Sequence, residues 1–160
     1  MRSPRNAALL LREHLAHVGA GLAVIVAAIH LFHPQHGLFR LVLLVGTGNA
    51  ALLVTDPRPL AFVLSGIALL VGVQLAAAGV ARKRLAVLGM ALVATYFVGY
   101  FAWHLTGHGG FLPGREPLHH GLHPVQAVII HLGTSPVAAV SKVAEGLLFV
   151  VLLSRSRREP

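Results

Sequence analysis

Histidine is the residue type in this chain whose abundance and spacing could support chemistry. The sequence holds eleven histidines in 160 residues and no cysteine, and imidazole binds zinc, copper and iron. His104 and His108 are four residues apart, so both rings lie on one face if the helix continues. We therefore predict a transition-metal site (Cu, Zn or Fe) built by imidazoles. The candidate metal ligands are His104, His108, His119, His120 and His123, with Glu116 as a carboxylate ligand or a hydrogen-bond partner.

Haem b is a second cofactor that these histidines could bind. It needs two histidines on facing helices, small residues beside the porphyrin and a basic group for the propionates. His14 and His17 begin a stripe that continues through Gly21, Val24 and Ala28 at steps of three or four residues. Small residues at such spacing also let transmembrane helices pack closely, so both interpretations stay open. The candidates for the opposing ligand and the propionate partner are His104, His108, His131 and Arg115.

Two ionisable residues lie inside the last apolar segment. Lys142 and Glu145 are three apart and can pair along one helix face. Ionisable groups within a membrane span are candidates for proton or ion pathways, and a structural ion pair is the alternative. His30, His33 and His36 form a separate run with steps of three residues.

The composition indicates a polytopic membrane protein. Apolar residues make up 56% of the chain and charged residues 11%, whereas a soluble domain carries about 25% charged residues. The net charge of +8 could suggest a nucleic-acid partner, but the basic residues lie in short clusters between long apolar runs. We therefore expect the lipid bilayer, and not nucleic acid, as the partner.

The predicted fold is a single all-α membrane domain covering residues 1–160, with five transmembrane helices and one short interfacial helix. Gly133 and Pro136 separate the short helix from the last span, because glycine ends a helix and proline favours its first turn. The predicted spans are about 15–32, 38–55, 60–80, 85–104 and 136–153, with the short helix at about 123–132.

Five spans would place successive connections on alternate sides of the membrane. The N-terminus and the 105–122 loop would then share one side. Ring nitrogens of His14 or His17 should lie within about 10 Å of at least two histidines at the loop (His104, His108, His119, His120 and His123), which is a loose bound for convergence, since zinc–imidazole bonds are about 2.0–2.1 Å long. Lysine and arginine favour cytoplasmic loops, and their distribution predicts an external 105–122 loop and a cytoplasmic C-terminus in the cell membrane.

Common enzyme motifs are missing from the sequence, including H-E-x-x-H, Walker A and G-x-S-x-G. Whether the chain is an enzyme stays open, with the pattern favouring a non-enzyme. The histidines favour a haem or transition-metal protein for electron transfer or metal handling, with a possible redox partner. A non-catalytic accessory subunit of a larger membrane complex and a small transporter are the alternatives.

Overall fold

Seven helices form the regular structure in the computed structural model, which describes residues 4–112, 116–118 and 121–157. Apolar runs with few charges produce the long ones, since a helix satisfies its own backbone hydrogen bonds in lipid. The helices are α1 (Pro4–Phe32), α2 (Leu38–Gly46), α3 (Leu52–Thr55), α4 (Arg58–Ala77), α5 (Arg82–Leu105), α6 (Pro124–Thr134) and α7 (Pro136–Ser156).

The predicted all-α membrane bundle is confirmed. Within the described residues, α1, α4, α5 and α7 are long and apolar enough to cross a membrane. Their middle sections enclose a small core that includes Val26, Leu69, Val93 and Leu148. Large apolar side chains elsewhere on these helices face outward, as expected for lipid contact.

The second predicted span differs from the structure, because residues 38–55 do not form one continuous helix. Helix α2 ends at Gly46, where Thr47 donates a side-chain hydrogen bond to the Leu43 carbonyl. Gly48 then adopts a left-handed φ of +74°, and Asn49 donates to the Thr47 hydroxyl. These local bonds compete with the helix and turn the chain. The nine residues of α2 cover about 14 Å, against a hydrocarbon core of about 30 Å.

The interrupted second segment changes which helix termini lie at the same end of the bundle. His30 in the last turn of α1 lies 2.8 Å from the Ser65 hydroxyl near the start of α4. Arg12 near the start of α1 lines the same cavity as Ala76 near the end of α4. Helices α1 and α4 are therefore antiparallel neighbours, and residues 33–57 return to the end at which they began.

The bundle has two chemically different ends, which we name for their residues. The histidine end holds the ends of α1 and α5, the starts of α4 and α7, and helix α6. The arginine end holds the opposite termini of the four long helices. Its lysines and arginines among the residues described are Arg5, Arg12, Arg82, Lys83, Arg84, Arg155 and Arg157.

The expected convergence of the N-terminal histidines with the 105–122 loop does not occur. His17 lines a cavity with Arg82 and Arg155 at the arginine end, and His14 precedes it by one turn of α1. His104 lies in the last turn of α5, at the histidine end. The chain reverses at residues 47–51, so the start of α1 and the end of α5 lie at opposite ends of the bundle.

Cysteine labelling can test this helix order, since the chain contains no cysteine of its own. We expect Asn6→Cys and Arg84→Cys to react from one side of the membrane, and Gln35→Cys to react from the other. An impermeant maleimide applied to intact cells and to inverted vesicles measures this. An arrangement with five continuous spans would instead put Gln35 and Arg84 on the same side, and that result would contradict the structure.

Candidate functional site

Three histidine rings meet at the histidine end of the bundle. His104 comes from the last turn of α5, His108 from the following loop and His131 from α6. The ring centroids are 5.1, 4.8 and 4.9 Å apart, which makes an almost equilateral triangle. One ring nitrogen from each residue lies within 4.8 Å of the other two. We call these three residues the histidine triad.

Backbone carbonyls orient all three rings of the triad. The acceptors are the carbonyl oxygens of Tyr100 for His104, Leu118 for His108 and Ala127 for His131, at 2.8, 2.9 and 2.7 Å from Nδ1. A carbonyl oxygen can only accept, so each Nδ1 must carry a proton. In a neutral ring Nε2 then presents its lone pair, which is the arrangement found for histidines that bind metals.

The spacing of one pair of Nε2 atoms suits a shared ion. Those of His108 and His131 are 3.3 Å apart. A tetrahedral metal with bonds of about 2.0–2.1 Å keeps its ligand nitrogens about 3.3–3.4 Å apart. Two lone pairs at this distance repel each other unless a proton or a cation lies between them. His104 is 9% exposed and the other two rings are half-buried, so the triad is partly shielded from its surroundings.

The loop after α5 has an unusual backbone that places His108. Gly107, His108 and Gly109 have φ values of +67°, +57° and +87°, a left-handed conformation that is uncommon for histidine. The indole of Trp103 covers Gly109 so closely that a Cβ there would overlap the ring. Glycine is therefore required at 109, and the resulting tight turn directs His108 back toward α5.

Trp103 is in turn held by an ion pair at the start of α4. Arg58 donates two hydrogen bonds of 2.7 Å to the carboxylate of Asp56, and its guanidinium carbon lies 3.9 Å from the centre of the Trp103 ring. Such bidentate and cation–π contacts favour arginine over lysine. Burial alone would raise the pKa of Asp56, but the hydrogen bonds and charge of Arg58 lower it. This clamp connects α4 to the loop that carries His108.

The other predicted ligands that the structure describes lie outside the histidine triad. His123 forms the N-cap of α6, where its Nδ1 accepts a hydrogen bond from the Val125 amide. Glu116 is exposed. His17 contacts the Glu13 carbonyl on its own helix, at the arginine end with His14. Outside the described residues lie Arg115, His119 and His120.

Lys142 and Glu145 belong to a buried polar network in the middle of the histidine half of the bundle. Glu145 is 0% exposed. Its carboxylate accepts hydrogen bonds from Lys142, at 2.5 Å, and from Ser141, at 2.8 Å. Nε2 of His30 lies 3.5 Å from the same carboxylate, and Nδ1 of His30 contacts Ser65. Lys142 also donates to the Tyr96 carbonyl, so the network joins α1, α4, α5 and α7.

Sequence spacing identified the Lys142–Glu145 pair but not its partners from other helices. His30 is 2% exposed, and it lies close to the rings of Phe62 and Tyr96. A histidine and a serine 35 positions apart carry no local pattern that could connect them. The polarity of His30 and Ser65 is a signal that could have identified them as network residues, because each interrupts a long apolar run.

His33 and His36 form a second pair of rings at the histidine end. They stack at 4.8 Å, and both contact the edge of Phe62. Burial, together with the charge of Arg58, lowers the pKa of His36 to about 4. Burial also lowers the pKa of His33, aided by His30 and Arg58. Both rings are therefore neutral at pH 7 in the folded protein.

The structure thus brings together His104, His108 and His131 from two sets of predicted ligands, and it places Lys142 beside Glu145. Comparisons with protein-family models, curated proteins and solved structures found no match to this chain.

The buried network predicts a large effect of removing its carboxylate. Glu145→Ala leaves Lys142, only 11% exposed, without its counter-ion, and breaking such a buried pair costs about 3–5 kcal/mol. We expect a marked fall in the thermal midpoint of the detergent-solubilised protein. The double variant Lys142→Met with Glu145→Met restores apolar packing and should lose less stability. Equal losses in both variants would argue against a stabilising ion pair.

Acidification should destabilise the segment that contains His33 and His36. The folded-state pKa of His36 lies below its ordinary value of 6.5, so the unfolded state binds a proton that the folded state excludes. The contribution of neutral His36 to stability is full above pH 6.5, falls as the pH drops and levels off below about 4. Thermal midpoints measured with chelator between pH 7.5 and 4.5 should fall more steeply for the wild type than for His36→Gln. Identical pH profiles would refute this assignment.

Proposed function

We propose that the protein binds a divalent transition-metal ion, Zn²⁺ or Cu²⁺, at His104, His108 and His131, and serves in metal handling at the membrane surface. The observation that carries this proposal is the common orientation of the three rings. Each Nδ1 faces a backbone carbonyl, and one ring nitrogen of each residue approaches the other two. Three imidazoles leave a coordination position for water or another ligand.

The sequence offers further groups for that position. His119, His120, His123 and Glu116 remain candidates to complete or assist the site, because they lie in the same segment as His108. A fourth imidazole would close the site, as in storage or structural binding, whereas water would leave it open for exchange or catalysis. Replacing these four residues one at a time by alanine would identify the fourth ligand, if the chain supplies one.

A metal ion fits the triad better than haem b does. The centroids of His108 and His131 are 4.9 Å apart, and those of His104 and His131 are 4.8 Å apart. Rings on opposite faces of a porphyrin would be separated by the iron and the macrocycle, at about 6 Å between centroids when each nitrogen lies about 2 Å from the iron. His14 and His17, the other proposed axial ligands, are at the arginine end. Electron transfer through haem therefore has less support than metal handling.

The charge distribution supports an orientation with the triad outside the cytoplasm. The described residues of the arginine end include the seven lysines and arginines named above, whereas those of the histidine end include two in or beside helix termini, Arg40 and Arg58. Because basic residues favour the cytoplasmic side, we propose that the arginine end is cytoplasmic. The C-terminus and the 105–122 loop keep their expected sides, and the N-terminus moves to the cytoplasm.

Metal titration of the purified, chelator-stripped protein tests the proposal. We expect one Zn²⁺ or Cu²⁺ per chain, measured by competition with a chromophoric chelator. His104→Ala and His131→Ala should each weaken binding at least about tenfold, because each removes one ligand from a small set. Paramagnetic resonance of the Cu²⁺ complex should show nitrogen coupling from imidazole. Absence of saturable binding to the wild type would refute the proposal.

Two matched controls make the titration specific to the triad. His36→Ala removes a half-buried histidine at the same end, and His17→Ala removes one at the arginine end. Both should bind metal as the wild type does. If they lose as much affinity as His104→Ala, binding is not confined to the triad. A reduced-minus-oxidised spectrum of protein purified from cells should lack a Soret band, and a Soret band that His17→Ala abolishes would favour haem instead.

A further inference from the structure

A cavity of about 810 Å³ lies between the helices at the arginine end, far from the histidine triad. Helix α4 packs mainly against α1, and α5 packs mainly against α7. The cavity lies between these two pairs and is lined by all four helices. Its volume is in the range of cavities that hold small ligands, about 300–1,000 Å³.

The walls of this cavity are apolar, with alanine and glycine interspersed among leucine and valine. Ala16 and Ala20 of α1 line it together with Gly72 and Ala76 of α4. A Cβ added at Gly72 would meet no atom within 4 Å, which shows that the space beside α4 is open. Leu148, 0% exposed and part of the core, contributes to the inner end of the cavity.

The depth of the cavity corresponds to one leaflet of a bilayer. Along α1 its wall runs from Arg12 to Ala23, about 16 Å at 1.5 Å per residue. The hydrocarbon core of a membrane is about 30 Å thick, so the cavity extends over about half of it. A helix from a second copy would run beyond that depth, whereas an acyl chain ends at the bilayer midplane.

The rim of the cavity is positively charged. Arg12, Arg82 and Arg155 come from α1, α5 and α7, and Glu13 is the acidic residue beside them. Arg82 donates a hydrogen bond from Nε to the Ala76 carbonyl, at 3.2 Å, which holds its side chain against α4. Guanidinium groups match the geometry of phosphate oxygens, and basic pockets between transmembrane helices bind anionic lipid head groups.

From this combination of charge, depth and apolar walls, we infer that the cavity binds an anionic phospholipid. One acyl chain occupies the space between the helix pairs, and the phosphate lies among Arg12, Arg82 and Arg155. The lipid comes from the leaflet at the arginine end. This binding is independent of the metal at the histidine end.

Lipid binding can be measured by native mass spectrometry of protein purified in an uncharged detergent. Phosphatidylglycerol and phosphatidylcholine with identical acyl chains are added separately at equal concentrations. We expect phosphatidylglycerol to bind at least about tenfold more tightly, because each basic side chain near an anionic head group contributes to affinity. It should also raise the thermal midpoint, whereas soluble glycerol phosphate should not.

Three variants separate the head-group contacts from the acyl-chain site. Arg12→Gln combined with Arg155→Gln should reduce phosphatidylglycerol binding to the level of phosphatidylcholine. Gly72→Leu fills the open space and should lower the binding of phosphatidylglycerol while keeping every charge. Arg84→Gln removes an exposed charge from the same end, outside the cavity lining, and should leave binding unchanged.

Other outcomes would overturn the inference. Equal binding of both lipids with no effect of Arg12 and Arg155 would show that the charged rim does not select the ligand. Unchanged binding to Gly72→Leu would place the lipid elsewhere, and a lipid-independent dimer that Gly72→Leu disrupts would identify a second copy as the occupant. Metal titration of the same variants should match the wild type, so failure of the lipid site is distinguishable from failure of the metal site.

Discussion

The buried carboxylate of Glu145 is the constraint around which the four long helices are arranged. A charge enclosed in an apolar bundle is unfavourable unless it is paired and hydrogen-bonded. Helix α7 supplies Lys142 and Ser141, and α1 supplies His30, which is itself held by Ser65 of α4. These directional contacts set the axial positions of the helices, which nondirectional apolar packing would leave less defined.

The histidine triad depends on that arrangement together with local turn chemistry. Helix α5 positions His104, but His108 requires the left-handed turn beneath Trp103, and His131 requires α6 to begin where His123 caps it. The clamp between Asp56 and Arg58 supports this turn from another helix. The site is therefore built on helix ends and a covered loop, where backbone carbonyls are available to orient imidazole rings.

Local sequence patterns predicted the long membrane helices and the start of α7. Which helix termini lie together depends on contacts between residues far apart in the sequence, and local patterns do not specify those contacts. Long uncharged runs indicate membrane helices because the cost of charge in lipid is large, and Ser135 with Pro136 marks the start of α7 through ordinary capping. The four-residue spacing placed His104 near His108. The turn at Gly48 was missed because Thr47, Gly48 and Asn49, which all favour turns, lie within a longer apolar run that indicates one continuous span. That single turn places His14 and His17 at the end of the bundle opposite to the 105–122 loop. The role of His131 beside His104 depends on how α6 folds back, which spacing alone does not specify.

Trp103 gives the protein a built-in optical reporter. It is the chain's single tryptophan, and its indole touches both the guanidinium of Arg58 and the backbone of the loop that carries His108. Its emission therefore comes from one place in the molecule, adjacent to the triad. Opening or ordering of this loop would change the polarity around the indole, and a nearby Cu²⁺ would quench it. Events at the histidine end can thus be followed by intrinsic fluorescence in detergent or vesicles, without attaching a dye.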